Sequence, residues 1–310
     1  GMLKKRVAEI IGVSEEDILT TDLFLYNPQR GVEWNGYVSA PRLDDLQCGF
    51  ASLTAFLEAG QKEAAPNTVP VFCLFDNEEV GSQTKQGAAS TFLSEVLGRI
   101  AHSVGAFLPC KLASSLLLSC DNAHAMHPNH PEYADAENKV RLNEGIVIKF
   151  NAGQKYTTDG ISEAYVKYLC TKEGVPFQSY ANRSDMAGGS TLGNIATTRV
   201  SVCSADVGLP QLAMHSATET AAVSDLTHMV SVLTELYSVG IEKSGDEKRI
   251  ANGLLSIAER YIYLNEFAKV DKLVTDNFVV SIESHASTIT FSHFEETSTF
   301  SQSTEHSTYL

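Results

Sequence analysis

Two adjacent carboxylates, Glu78 and Glu79, follow directly on Val69-Pro-Val-Phe-Cys-Leu-Phe75 and Asp76-Asn77. Burying such a pair is costly unless a cation neutralises it, and the nearest basic residue in the chain is Lys85. A bare Glu-Glu pair reads as a solvated loop, but here an apolar run delivers it to the end of a buried strand. Asp121 repeats the pattern after the apolar residues 112–120. Asp44 lies in Pro41-Arg-Leu-Asp-Asp45, at the start of a helical pattern, where an N-cap is the plain alternative. His215 lies in Gln211-Leu-Ala-Met-His-Ser216, and a lone histidine on an apolar segment is usually structural. His124 and His127, at i and i+3, could share one face as a metal pair. The i, i+4 histidine pair with an enclosed Glu that marks a helix-borne zinc protease is absent. Each signal is weak alone. In the order Asp, Glu-Glu, Asp, His they make a donor set that zinc accepts, and two cations would offset the burial of three or four carboxylates. A carboxylate pair such as Glu78 with Asp121 would also suit glycoside hydrolysis, a reading that only activity retained under chelation would revive.

These residues need elements to hold them. Apolar spacing predicts a helix over residues 3–11 and another over 43–57, with Leu46, Phe50, Leu53, Phe56 and Leu57 at helical spacing and Gly60 as the stop. Further helices are expected over 91–100, 161–172 and 224–236. Strand formers occupy 22–26 and 36–39. The runs 69–75, 112–120, 146–150 and 199–203 read as strands, the first two apolar on both faces, as in a parallel sheet. The alternation implies an α/β fold with a mostly parallel sheet and helices on both faces. In such sheets chemistry collects at the carboxyl ends of strands, where Glu78, Glu79 and Asp121 stand. Beyond Gly240 the character changes. Residues 246–267 read as one helix, and the Ser/Thr-rich residues 281–310 as a poorly ordered tail, with a short antiparallel hairpin as the alternative. There are no internal repeats.

Composition narrows the partners. The 310 residues carry a net charge of −15, with 43% hydrophobic and 20% charged residues, ordinary globular values. Without a Lys/Arg cluster, such a chain is not expected to bind nucleic acid. No apolar stretch approaches the ~20 residues a membrane helix needs. Six cysteines without a Cys-x-x-Cys pair suggest buried, reduced thiols and a cytoplasmic protein. Gly1-Met2 reads as a tag remnant ahead of the native start.

The segments Pro-Arg-Leu-Asp-Asp-Leu (41–46), Phe-Asp-Asn-Glu-Glu-Val-Gly-Ser (75–82), Ser-Cys-Asp-Asn-Ala-His-Ala-Met-His-Pro-Asn (119–129), Ile-Val-Ile-Lys (146–149), Arg-Ser-Asp-Met (183–186) and Leu-Ala-Met-His-Ser (212–216) resemble, in order, the aspartyl aminopeptidase family, metallopeptidase family 18. The resemblance runs from about residue 3 to about 240. It implies a two-zinc aminopeptidase acting on peptides with N-terminal Asp or Glu, and a homo-oligomer for the full-length family. By the same resemblance Asp44 would bridge two zinc ions and the Asp44–Asp45 bond would be cis, Glu79 and His215 would complete one metal site, and Asp121 would bind the other metal. Glu78 would be the general base acting on a zinc-activated water. Lys149 would face an acidic substrate side chain, with a structural counter-ion as the equal alternative, and His124 and His127 would stand in a supporting or assembly role. Residues 1–40 would be the end of an inserted dimerisation domain, 41–240 the catalytic core, and 241–310 an unmatched helix and tail. The family also uses a His in a His-x-Asp segment upstream of Asp44, which this chain lacks. One zinc site is therefore expected to be incomplete, in keeping with a shortened reading frame. The alternative is a truncated or catalytically silent homologue.

Overall fold

A computed structural model describes residues 1–62, 65–244, 247–251, 277–284 and 289–291, with side chains described as far as residue 241. The chain forms two compact units, residues 1–30 and 31–310. The first holds helix α1 (Met2–Ile11), which ends where Gly12 takes the left-handed conformation, at φ 74°, and its N–H caps the Ala8 carbonyl. Residues 22–26 form no strand. The aromatic Phe24 and Tyr26 suit a pleated, half-buried surface rather than setting a backbone preference by themselves.

The second unit begins with β1 (Val32–Trp34), β2 (Tyr37–Ala40), α2 (Leu43–Ala59) and β3 (Thr68–Phe75). It continues with α3 (Phe92–Ser103), α4 (Leu108–Ala113), β4 (Leu116–Cys120), β5 (Ala123–His124), β6 (Ile146–Phe150), α5 (Gly160–Glu173) and β7 (Phe177–Ala181). Then come α6 (Leu192–Ala196), β8 (Cys203–Gly208), β9 (Pro210–Leu212), β10 (Glu219–Ala222), α7 (Val223–Ser238), β11 (Gly240–Ser244), β12 (Glu247–Ala251), β13 (Asn277–Ser284) and β14 (Ile289–Phe291).

The main sheet has the order β14-β3-β13-β4-β8-β6-β7. Its centre is parallel, with β13 between β3 and β4 and β8 beside β4. β6 runs antiparallel to β8, and β14 antiparallel to β3. One face packs on α2, α5 and α7 through Phe56, Phe72, Leu118, Ile148, Tyr165, Leu233 and Tyr237. The other packs on α3 and α6 through Val71, Leu93, Leu97, Leu117 and Leu192. This is the expected mostly parallel α/β sheet with helices on both faces. A smaller sheet, β1-β2-β10-β9-β5, stands at the site end.

Several expected elements move. Leu112 and Ala113 belong to α4, not to a strand, because Pro109 starts a helical turn at its first positions. The strand expected over 199–203 begins only at Cys203; Arg199 and Val200 still donate to the Ala196 carbonyl. In α2 the buried face is Cys48, Ala51, Ser52, Ala55, Phe56 and Ala59. The larger Leu46, Phe50, Leu53 and Leu57 face outward and are exposed. Small residues allow α2 to lie close along α7, where Phe56 meets Tyr237 edge-on at 5.4 Å. The helix expected over 246–267 begins instead with strand β12, and its remainder lies outside the described residues. Within the tail, β13 and β14 are strands; the other residues of 281–310 lie outside the described residues. All six cysteines are thiols, and Cys48, Cys73, Cys120 and Cys170 are buried. Among the described residues no helix is long and apolar enough to cross a membrane.

Candidate metal centre

Strand ends and turns bring the predicted acidic residues and His215 together. Asp44 opens α2, but with non-helical φ −85° and ψ 113° it is part of a break and not a cap; the Asp44–Asp45 bond is cis. Glu78 and Glu79 follow β3, Asp121 follows β4, and His215 lies in the turn between β9 and β10. His215 Nε2 stands 3.0 Å from Asp44 Oδ2 and 3.0 Å from Glu79 Oε1. One donor atom each from Asp44, Glu79 and His215 falls within 4.8 Å of the others. Asp44, Asp45 and Asp121 form a second such group. The Asp44 side chain is 3% exposed, whereas His215 is 60% and Glu79 44% exposed, so the cluster opens on a cleft.

The donor set fits a zinc ion. Asp44 Oδ1 is buried with no hydrogen-bond partner among the described residues, which is costly for a carboxylate unless a cation meets it. Burial, then the charges of Asp121 and Glu79, push the Asp44 pKa up to about 9 against a weaker opposing pull from Lys149. Burial and the same neighbours, Asp121 first, push Glu78 up to about 7. Acids raised in this way hold protons in the folded protein that the unfolded chain has released above about pH 4. Stability therefore falls as pH rises from about 4 toward 9 in metal-free protein. Thermal melts of EDTA-treated protein between pH 5 and 9 should show this downward slope. Asp44→Asn should flatten it, and zinc should stabilise most at the alkaline end. An equal slope in Asp44→Asn would contradict the assignment.

The floor of the cleft is built around Lys149. Its side chain is 3% exposed, and Nζ donates to the Asn122 carbonyl at 2.6 Å and to Asp121 Oδ2 at 3.4 Å. The ammonium lies 5.5 Å from the Tyr156 ring centroid. Gly208 on β8 permits the close approach of the Asp121 backbone, since a Cβ there would come within 2.0 Å of the Asp121 carbonyl oxygen.

The cleft of about 100 Å³ is lined by Asp44, Glu78, Glu79, Asp121, Lys149 and His215, and also by His124, Tyr156 and Thr191. His127 is not among the lining residues. Its Nδ1 accepts the Asn129 N–H, and its ring lies 6.2 Å from that of His130. A larger hollow within residues 1–23 carries none of these groups.

Three buried polar residues escaped the sequence reading. Asn122 donates to the Leu43 carbonyl and to Gln211, joining the β4 end to the α2 start. Asp206, on β8 and fully buried, accepts from Thr157 N–H and from the Thr157 and Thr191 hydroxyls, pinning the loops that line the cleft. Glu219 accepts from the backbone N–H groups of Asp44 and His215. An acid inside an otherwise apolar strand, as in Ser204-Ala-Asp-Val-Gly208, was the one available sequence signal for Asp206.

Known proteins share this arrangement of chain. The family described as Aminopeptidase I zinc metalloprotease (M18) matches residues 1–237. A "Probable M18 family aminopeptidase 2" of Clostridium acetobutylicum is 42% identical over 244 residues, 76% of this chain and 55% of that protein. A namesake from Azotobacter vinelandii is 43% identical over 202 residues, covering 65% of this chain and 46% of that protein. The chain thus spans about half the length of the curated relatives it matches. Among solved structures, the Ape4 and Nbr1 complex gives a TM-score of 0.69 at 30% identity, covering 76% of this chain and 48% of the other. The S. cerevisiae mApe1 dodecamer gives 0.64 at 27% identity, covering 76% and 54%. With the family matched over residues 1–237, the chain belongs to the M18 aminopeptidases, a zinc metalloprotease family.

Proposed function

We propose that this protein is a zinc-dependent aminopeptidase that removes an N-terminal Asp or Glu from peptides. The observation that carries the reading is the meeting of Asp44 Oδ2 and Glu79 Oε1 at His215 Nε2, each at 3.0 Å. Asp44, Glu79 and His215 would hold one zinc ion, and Asp44 with Asp121 a second. Zinc so held would supply a Lewis acid able to polarise a carbonyl and to make water nucleophilic near neutral pH. Glu78, half-buried in the same cleft, takes up and passes on the proton at its carboxylate. Lys149 has three donors, two of them engaged by Asn122 and Asp121. Among the described residues no hydrogen bond takes the third, which would suit a substrate carboxylate and supports the acidic preference. His124 lines the cleft as a supporting residue, and His127 suits an assembly role.

A second reading has support in the Asp121 group, which among the described residues gathers only Asp44 and Asp45 and is already engaged by Lys149. This chain by itself would then hold one zinc firmly and the other weakly, and turn over slowly. Residues 1–40 would end an inserted dimerisation domain, 41–240 form the core and 241–310 be an addition. A homo-oligomer, as in the mApe1 dodecamer, and a cytoplasmic location fit the same reading.

Hydrolysis of Asp-p-nitroanilide beside Leu-p-nitroanilide, with and without EDTA, tests the proposal. The expected result is a preference for Asp of at least about tenfold, as one charged hydrogen bond supplies, and loss of turnover on chelation. Turnover that survives EDTA, or a preference for Leu, would sink it.

A further inference from the structure

We infer that Glu219 is the positioning residue of this metal centre, fixing two ligands at once by holding their backbones. The inference rests on the zinc reading above and extends it to a residue outside the ligand set. Glu219 opens β10 opposite Ala40 of β2 and is 2% exposed. Its Oε2 accepts the Asp44 N–H at 3.0 Å, and its Oε1 accepts the His215 N–H at 2.6 Å. One buried carboxylate thereby joins two residues 171 positions apart in the chain, each by a charge-assisted hydrogen bond.

The two backbones it holds are irregular. His215 is left-handed at φ 67°, as is Ala213 at φ 58°. A non-glycine residue keeps such a conformation only where its surroundings over-determine it. Asp44 departs from helical φ/ψ within the first turn of α2, so no regular ladder sets its direction. The two ligands that share the 3.0 Å contact thus have backbones without a repeating hydrogen-bond pattern, and Glu219 supplies the missing restraint. Outer groups that orient ligands are worth 10- to 100-fold in metal affinity.

Glu219→Gln replaces one accepting oxygen with an amide N–H₂ facing another N–H, so one tether is lost while size is kept. Glu219→Asp keeps the charge but shortens the reach, and it should not restore both tethers. Thr220→Val serves as the control. It removes the 2.8 Å hydroxyl contact with Ser39 on the same pair of strands without touching a ligand. Hydrogen–deuterium exchange and zinc affinity are measured on the full chain. In Glu219→Gln, amide exchange at Asp44 or His215 should quicken by about tenfold or more, and zinc should bind 10- to 100-fold more weakly. Cobalt substituted for zinc should show shifted visible bands in Glu219→Gln. Thr220→Val should match wild type in all three. Equal losses of zinc affinity in Thr220→Val and Glu219→Gln would reduce Glu219 to general support and overturn the inference.

The remaining outcomes separate cleanly. If Glu219→Gln does not fold, exchange in the wild-type protein decides: a protected His215 amide in this open turn supports the tether, and free exchange there overturns it. If wild-type protein takes up no zinc, the metal reading fails, whereas the tether still stands or falls on exchange in the variants.

Discussion

Glu78→Gln is expected to lower kcat by about 10²- to 10⁴-fold, the usual contribution of a positioned general base, while zinc content stays at the wild-type level. Glu78 follows β3 beside Glu79, lines the same cleft as Asp44, Asp121 and His215, and belongs to neither group of candidate ligands. Its proton affinity is raised by burial and by the charges of Asp121 and Glu79, which is the condition a base needs to hold a proton near neutral pH. Glutamine keeps the shape and removes the capacity to carry that proton. Because the ligands remain, a parallel loss of zinc would show that Glu78 is a ligand instead. A rate equal to that of wild type would remove it from the chemistry altogether.

The second large effect belongs to His215. Its imidazole is the contact shared by Asp44 and Glu79, and truncating it to Ala removes the one nitrogen donor of the set. What remains is a pair of carboxylates, one deeply buried, a set better suited to harder cations than to zinc. Zinc affinity in His215→Ala should fall by more than about 100-fold, beyond the range typical of outer supporting groups. The fold should survive, since the side chain is 60% exposed and its own backbone N–H still reaches Glu219. Loss of folding would instead assign His215 the structural role that a lone histidine usually has.

How much of this was legible in the sequence follows from how local each signal is. β3 and β4 could be read because strands buried on both faces are largely apolar, and because an acidic residue stands just past each; β6 was legible through Ile146-Val-Ile148. The same apolar continuity misled at residues 112–115, where helix and strand cannot be told apart by periodicity and Pro109 decided for α4. The short strands β5 and β9 exist through their pairing with each other and with β10, which no local pattern announces. In α2 the larger side chains suggested one face and the alanines took the other, because closeness to α7 favours small residues over bulky ones. Asp44, Glu79, Asp121 and His215 were singled out by order and type, together with the family resemblance. Asn122, Asp206 and Glu219 were not, since their partners come from distant parts of the chain and only the folded protein brings them together.

Zinc titration of the wild-type protein beside His215→Ala, by competition with a chelating dye, tests the central claim most directly. The account predicts about one tightly held zinc per wild-type chain, through the three-ligand group of Asp44, Glu79 and His215, and loss of that tight uptake in His215→Ala. Wild-type protein that takes up no zinc, or a variant that binds it as tightly as wild type, would contradict the metal centre described above.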